Sequence, residues 1–186
     1  MPHRVCPWWI GYFLASPLRK LRQDPRAILS PYVREGMLVL EPGPGMGFFT
    51  LELARLAGPA GRVVAVDVQP KMLNALRRRA TRRGLAERIE TRLAAGEGLP
   101  VADLAGRVDF ALAFAMVHEV PDQDRFFADV AAALKPGAAA LLAEPGGHVS
   151  AGDFAATLGT AAAHRLDVTD RPVIAGSHAA TLVKRA

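Results

Sequence analysis

Apolar residues fall into short unbroken runs, separated by stretches with helical spacing. Met37–Glu41 (MLVLE), Arg62–Asp67 (RVVAVD), Ile89–Leu93, Asp109–Phe114 (DFALAF) and Ala139–Glu144 read as five short strands. Phe48–Leu56, Pro70–Arg83, Gln123–Leu134 and Gly152–Ala163 repeat apolar residues three and four apart, as helices buried on one face do. Gly84 ends the second of these helices, and Lys135-Pro136-Gly137 stops the third. Leu166–Val168 and Ala180–Lys184 predict a late, hairpin-like pair of strands. Val5–Leu29 reads as helical, broken at Pro17 and Pro25. Strands that are apolar without alternation are buried on both faces. The pattern therefore predicts an α/β fold around a doubly wound, parallel sheet.

The chain has 186 residues, which at about 150 residues per domain predicts one domain. Residues 1–35 would be its N-terminal helical segment and 36–186 its core. Hydrophobic residues make up 51% and charged residues 22%, which excludes a disordered chain, a collagen-like chain and a coiled coil. The single cysteine, Cys6, excludes a disulfide framework and a zinc site built from several thiolates. No apolar run is long enough for a membrane span. Val5–Ala15 (VCPWWIGYFLA) has the look of a short signal peptide. Pro7 and Trp8-Trp9 suit that role poorly, and the basic, amphipathic stretch that follows argues against export, so a cytoplasmic location is expected. The net charge is +5, and only four of the 23 basic residues are Lys. Arg77, Arg78, Arg79, Arg82 and Arg83 fall on the helix after Asp67. They read as a solvated helix face or, more sharply, as a phosphate track.

Glu41-Pro42-Gly43-Pro44-Gly45-Met46-Gly47 joins the first strand to a helix. Glycines there let a ligand approach the backbone with no Cβ in the way. Asp67 ends the second strand 24 residues after Gly43, where a carboxylate can take both ribose hydroxyls of an adenosine. A dinucleotide's pyrophosphate is usually cradled by G-x-G-x-x-G. Here the third glycine comes one place early. Glu41 would also repel a pyrophosphate, while suiting a cation such as the ammonium of a methionyl group. A nicotinamide dehydrogenase is disfavoured on both counts.

Over roughly Met37 to Glu144 the sequence resembles the class I S-adenosylmethionine-dependent methyltransferases, in the small-molecule branch that includes the quinone-ring enzymes. VLEPGPGMGFFT is similar to the family's first motif, and VVAVDVQPKML to its second. FALAFAMVHEVPD, with LKPGA after it, resembles the strand-four region. The resemblance implies a Rossmann-like sheet, mostly parallel with a C-terminal antiparallel strand, under an N-terminal helical lid. It implies S-adenosyl-L-methionine as cofactor and methyl transfer to a small-molecule acceptor. Gly43, Pro44, Gly45 and Gly47 would pass under the methionyl part, with Glu41 near its ammonium. Asp67 would bind the ribose diol, Val68 and Met72 would cover the adenine, and Phe114 would lie beside the sulfonium. Gly96 and Glu97 fall at the adenine edge. Aligning Leu99-Pro100 with the family's usual Leu-Pro puts Ala95 where an Asp often accepts from the adenine amino group. That contact is then missing or moved to Glu97. Arsenite methylation resembles this branch too but uses several cysteines, which argues against it here.

Methyl transfer from a sulfonium is an in-line displacement at an activated carbon, so the protein mainly aligns the nucleophile and excludes water. A base is needed only where the nucleophile carries a proton. His118 and Glu119, just past strand four at the carboxyl edge of the sheet, are the catalytic candidates. Capping or packing at a helix start is their plainer role. Trp8, Trp9 and Tyr12 on the lid, and His148 after strand five, are candidate substrate residues. A helix docked on the core would also account for the aromatics. His164 and His178 read as structural. No metal is expected, since His3 and Cys6 would be only two ligands. Nucleic acid is not expected as a partner either. Phe114–His118 lacks both the Asn/Asp-Pro-Pro-aromatic turn of base-amino methyltransferases and a Pro-Cys nucleophile. The alternatives are an RNA or protein methyltransferase using the Arg-rich face, and a non-catalytic regulatory domain that binds S-adenosylmethionine. A deep pocket needs residues 1–35 or a partner subunit to close it, which is compatible with a homodimer.

Overall fold

The computed structural model describes residues 23–186 apart from Ala95 and Glu97. The lid residues Trp8, Trp9 and Tyr12, and Glu97 at the expected adenine edge, lie outside the described residues. Two compact units divide at Gly96.

The first unit opens with α1 (Pro25–Leu29), where the Asp24 carboxylate caps the Arg26 amide at 3.0 Å. Pro25 therefore starts this helix instead of breaking one, because its fixed φ and missing N–H suit the first helical turn. Then come β1 (Leu38–Pro42), α2 (Thr50–Leu56), β2 (Arg62–Asp67), α3 (Pro70–Arg82) and β3 (Ile89–Leu93). Strand β2 pairs in parallel with β1 and with β3, through Leu40↔Val64 and Val64↔Glu90. Val39, Leu40 and Val63–Val66 are buried, as their unbroken apolar run predicts. The expected helix at Phe48 begins at Thr50 instead. The glycine turn runs on to Phe49, and the Phe48 and Phe49 rings pack edge to face at 5.0 Å.

The second unit holds β4 (Val108–Phe114), α4 (Gln123–Ala133), β5 (Leu134–Pro145), α5 (Ala151–Ala163), β6 (Leu166–Asp170) and β7 (Ser177–Lys184). Its strands lie in the order β4-β5-β7-β6. β4 and β5 are parallel, and β7 runs antiparallel to both β5 and β6. Strand β5 starts five residues earlier than the expected Ala139, at Leu134, which pairs with Val108 before the register shifts to Phe110↔Ala139. The shift absorbs Lys135-Pro136-Gly137, with Gly137 at φ +77°. Proline and glycine thus mark an irregular strand here where the sequence reads as a stop. Asp122 caps α4 on the Arg125 amide at 2.9 Å, and Ser150 caps α5 on the Asp153 amide at 3.1 Å. The α/β expectation holds, with parallel strands up to β5 and an antiparallel one at the C-terminal end.

Candidate functional site

In the first unit, two strand-end carboxylates meet the glycine turn. The Gly43 amide donates to the Val66 carbonyl at 2.8 Å, which ties the turn to β2. Gly45 has φ +53°, and a Cβ built there would meet nothing within 4 Å, so open space adjoins the backbone. Gly47 has φ +85°, and a Cβ there would overlap the Leu76 side chain of α3. Asp67, 8% exposed, accepts from the Gln69 amide at 2.8 Å and from the Gly45 amide at 3.3 Å. Glu41 is 3% exposed. Burial is the main reason its pKa is pushed up to about 8; the charge of Asp67 adds to this and the nearby Thr50 hydroxyl offsets part of it. Neither Glu41 Oε2 nor Thr50 Oγ1 has a hydrogen-bond partner of normal geometry among the described residues. Val68 is exposed, and Met72 is buried with Met46 and Ala75.

Arg79 reaches back from α3 to the Met46 carbonyl inside this turn. Desolvation and the neighbouring Arg83 hold its pKa below the ordinary arginine value. One member of the basic run is therefore turned inward and pins the turn. It stands three residues after Leu76 and seven after Met72, so helical spacing places it on their buried face. That spacing could have marked it out in the sequence.

In the second unit, the chain leaves β4 at the buried Phe114 and bends through Ala115, whose φ of 56° is rare for a residue with a Cβ. The Ala115 amide donates to the Ala143 carbonyl at 2.7 Å. This bend aims the next two amides at Glu144, which ends the buried run of β5 and is 1% exposed. Glu144 Oε1 accepts from Val117 at 2.8 Å and from Met116 at 3.3 Å. Its Oε2 bonds His118 Nδ1. The other ring nitrogen, Nε2, lies 3.9 Å from Glu119 Oε1, so the structure brings the two catalytic candidates together. His118 has a raised pKa: its hydrogen bond to Glu144 outweighs burial, and the charges of Glu144 and Glu119 add to it. On the far side of the turn, Gln123 donates to the Val117 carbonyl at 3.1 Å and is itself held by Thr157 at 3.2 Å.

His148 is exposed in the turn after β5, whereas the His118 ring meets Glu144 and Glu119. His164 pairs with Asp124 at 2.9 Å, and His178 stacks on Phe154 at 5.7 Å, both structural contacts. Gly96 is exposed with open space at its Cβ position. Nearby, Asp129 fixes the Leu99 amide at 2.7 Å. Among the described residues, no three His, Cys, Asp or Glu side chains are grouped to hold a metal ion. No described helix is long and apolar enough to cross a membrane.

Residues 39–137, more than half of the chain, match the family model described as a methyltransferase domain. The chain belongs to this methyltransferase family. It is 35% identical over 102 residues to an arsenite methyltransferase from Halobacterium salinarum, covering 55% of this chain and 25% of that protein. It is 31% identical over 112 residues to a ubiquinone/menaquinone biosynthesis C-methyltransferase from Pasteurella multocida, covering 60% of this chain and 41% of that one. The chain thus spans less than half the length of these two curated relatives. In fold it is similar to a SAM-dependent methyltransferase from Aquifex aeolicus, with a TM-score of 0.82 at 21% identity over 96% of this chain and 98% of the other. The fold is the Rossmann-like one of these enzymes, and S-adenosylmethionine is the cofactor that membership implies.

The methyltransferase chain fits that cofactor on its own chemistry. A buried carboxyl with a raised pKa and an unpartnered oxygen lacks a cationic donor. An ammonium group supplies both the charge and the hydrogen. The open space at Gly45 and the strand-end Asp67 lie in the same unit as Glu41. In the sequence Glu144 reads simply as the end of a strand. It nevertheless shares a signal with Glu41 and Asp67: each is a lone acid closing a buried apolar strand, where a charge survives only if something meets it.

Proposed function

We propose that this protein transfers the methyl group of S-adenosylmethionine to a small organic acceptor whose nucleophile carries a proton, with His118 as general base. The observation that carries this reading is the unpartnered oxygen of buried Glu41 beside the glycine turn. When bound, S-adenosylmethionine supplies a methyl group already activated on a sulfonium. Glu41 takes the ammonium, Asp67 accepts from the ribose diol, Gly45 lets the backbone approach, and Gly43, Pro44 and Gly47 shape the turn that passes under the methionyl part. Val68 and Met72 flank the adenine, Gly96 and Glu97 its edge, and Phe114 the sulfonium. His118 Nε2 takes the acceptor's proton, and the imidazolium so formed is stabilised by Glu144 and Glu119. Trp8, Trp9 and Tyr12 cover the acceptor, with His148 at its rim. The names of the two relatives both indicate small acceptors. With one cysteine in this chain, we favour the organic one. A cytoplasmic location belongs to the same reading. The inward turn of Arg79 removes one cation from the surface a nucleic acid would need.

Calorimetric titration of the purified chain with S-adenosylmethionine, its demethylated product and NAD(H) tests the reading. Binding of the first two, weakened by roughly 2–3 kcal/mol in Asp67→Ala, is the expected result, since a charge-assisted bidentate contact is lost. Binding of NAD(H) alone would overturn it. Unchanged affinity in Asp67→Ala would remove that residue from the site.

A further inference from the structure

We infer that Glu144 is the positioning residue of the His118 base: its carboxylate holds the imidazole as the Nδ1–H tautomer and leaves Nε2 to receive the proton. The inference rests on reading His118 as the base.

Two of the donors on Glu144 cannot be exchanged for acceptors. Glu144 Oε1 takes two backbone amides, which can only donate. Oε2 is the oxygen left to face the ring, and a carboxylate oxygen accepts. The ring nitrogen facing Oε2 must then carry a hydrogen, so in the neutral ring that hydrogen is on Nδ1. Nε2 is left with its lone pair, 3.9 Å from Glu119 Oε1, on a side chain that is 28% exposed.

The ring cannot easily escape this geometry. Its turn is bent at Ala115, anchored at Met116 and Val117 by Glu144 itself, and held from the other side by Gln123 and Thr157. Among the described residues, the charged and titratable groups recorded around the pair are Glu119, 3.9 Å from Nε2, and His178, which pairs with Glu144 across β5 and β7 and stacks on Phe154. The raised pKa of His118 agrees with an ionised partner on Nδ1. The arrangement follows the physics of any histidine base oriented by a buried acid: the acid selects the tautomer and stabilises the imidazolium.

The test is nitrogen-15 NMR of the full chain with labelled histidine, followed from pH 5 to pH 9. The His118 signals are assigned by their loss in His118→Ala. The expected wild-type ring is Nδ1–H when neutral, with a midpoint above the ordinary value of about 6.5. Glu144→Gln still offers a carbonyl to the two amides but presents an N–H₂ to Nδ1. It should switch the ring to Nε2–H and lower its proton affinity about tenfold or more, toward or below the ordinary value. A wild-type ring protonated on Nε2 overturns the inference. So does a glutamine variant with unchanged tautomer and midpoint. Should that variant fail to fold, the wild-type ring decides alone. Titration of the same wild-type sample with S-adenosylmethionine keeps the two readings separate. Absence of cofactor binding overturns the methyl-transfer reading, whereas the ring result alone decides the role of Glu144.

Discussion

Glu41 and His118 both have raised pKa values, so both contribute stability that is lost as pH rises, although the favoured form is neutral in Glu41 and charged in His118. A carboxyl raised from 4.5 to about 8 binds more protons folded than unfolded, so stability should fall as pH rises across that window. Glu41→Gln should remove the fall, by an amount on the order of a few kcal/mol, as read from urea unfolding at both ends of the window. Equal pH dependence in the two proteins would mean that Glu41 is ionised at no cost. An arriving cation favours the ionised form, so cofactor binding below pH 8 should release a proton. Calorimetry in buffers of different ionisation enthalpy measures it. For His118 the charged form is favoured, so its pairing with Glu144 stabilises the fold fully below the unfolded value. That contribution is lost as pH rises through the higher folded value. The neutral base is populated only above the folded value, so the acid limb of turnover should lie above about 6.5.

At the scale of elements, the glycine turn separates packing from binding. Gly47 is backed by Leu76 of α3 and held at φ +85°. Gly47→Ala should therefore cost about 1–3 kcal/mol of stability in thermal or urea unfolding. Gly45, at φ +53° with open space beyond it, should lose only about 1 kcal/mol as alanine. A methyl group there would nevertheless stand where the cofactor is proposed to approach, and affinity should drop more than stability. Equal effects at the two positions would show that the turn has no ligand face. The turn and β2 (Arg62–Asp67) were legible because their signals are local: a buried run, a closing acid, glycines at a bend. The start of β5 was not. Leu134 becomes a strand residue only because Val108 pairs with it, and that partner lies 26 positions earlier in the chain.

For the whole molecule, burial is uneven among the strands of each unit. Strand β2 is buried from Val63 to Asp67 and β5 from Ala140 to Glu144, while β3 is half-buried up to an exposed Leu93 and β6 is exposed from Val168 on. Amide exchange should be slowest in β2 and β5 and fastest in β3 and β6, as measured by hydrogen–deuterium exchange. Protection in β6 equal to that in β5 would show that something covers that edge.

Hydrophobic run lengths, helical spacing and punctuation by glycine and proline are properties of neighbouring residues. They sufficed for the α/β class, for most element boundaries and for the strand-end positions of Glu41 and Asp67. Which buried groups lack a partner, and which find one, depends on residues far apart in sequence. Only folding placed Arg79 on the Met46 carbonyl 33 positions away and Glu144 on the turn that carries His118. A side chain's charge state and hydrogen bonds are set by what strand pairing brings beside it, and the order of residues along the chain does not record that.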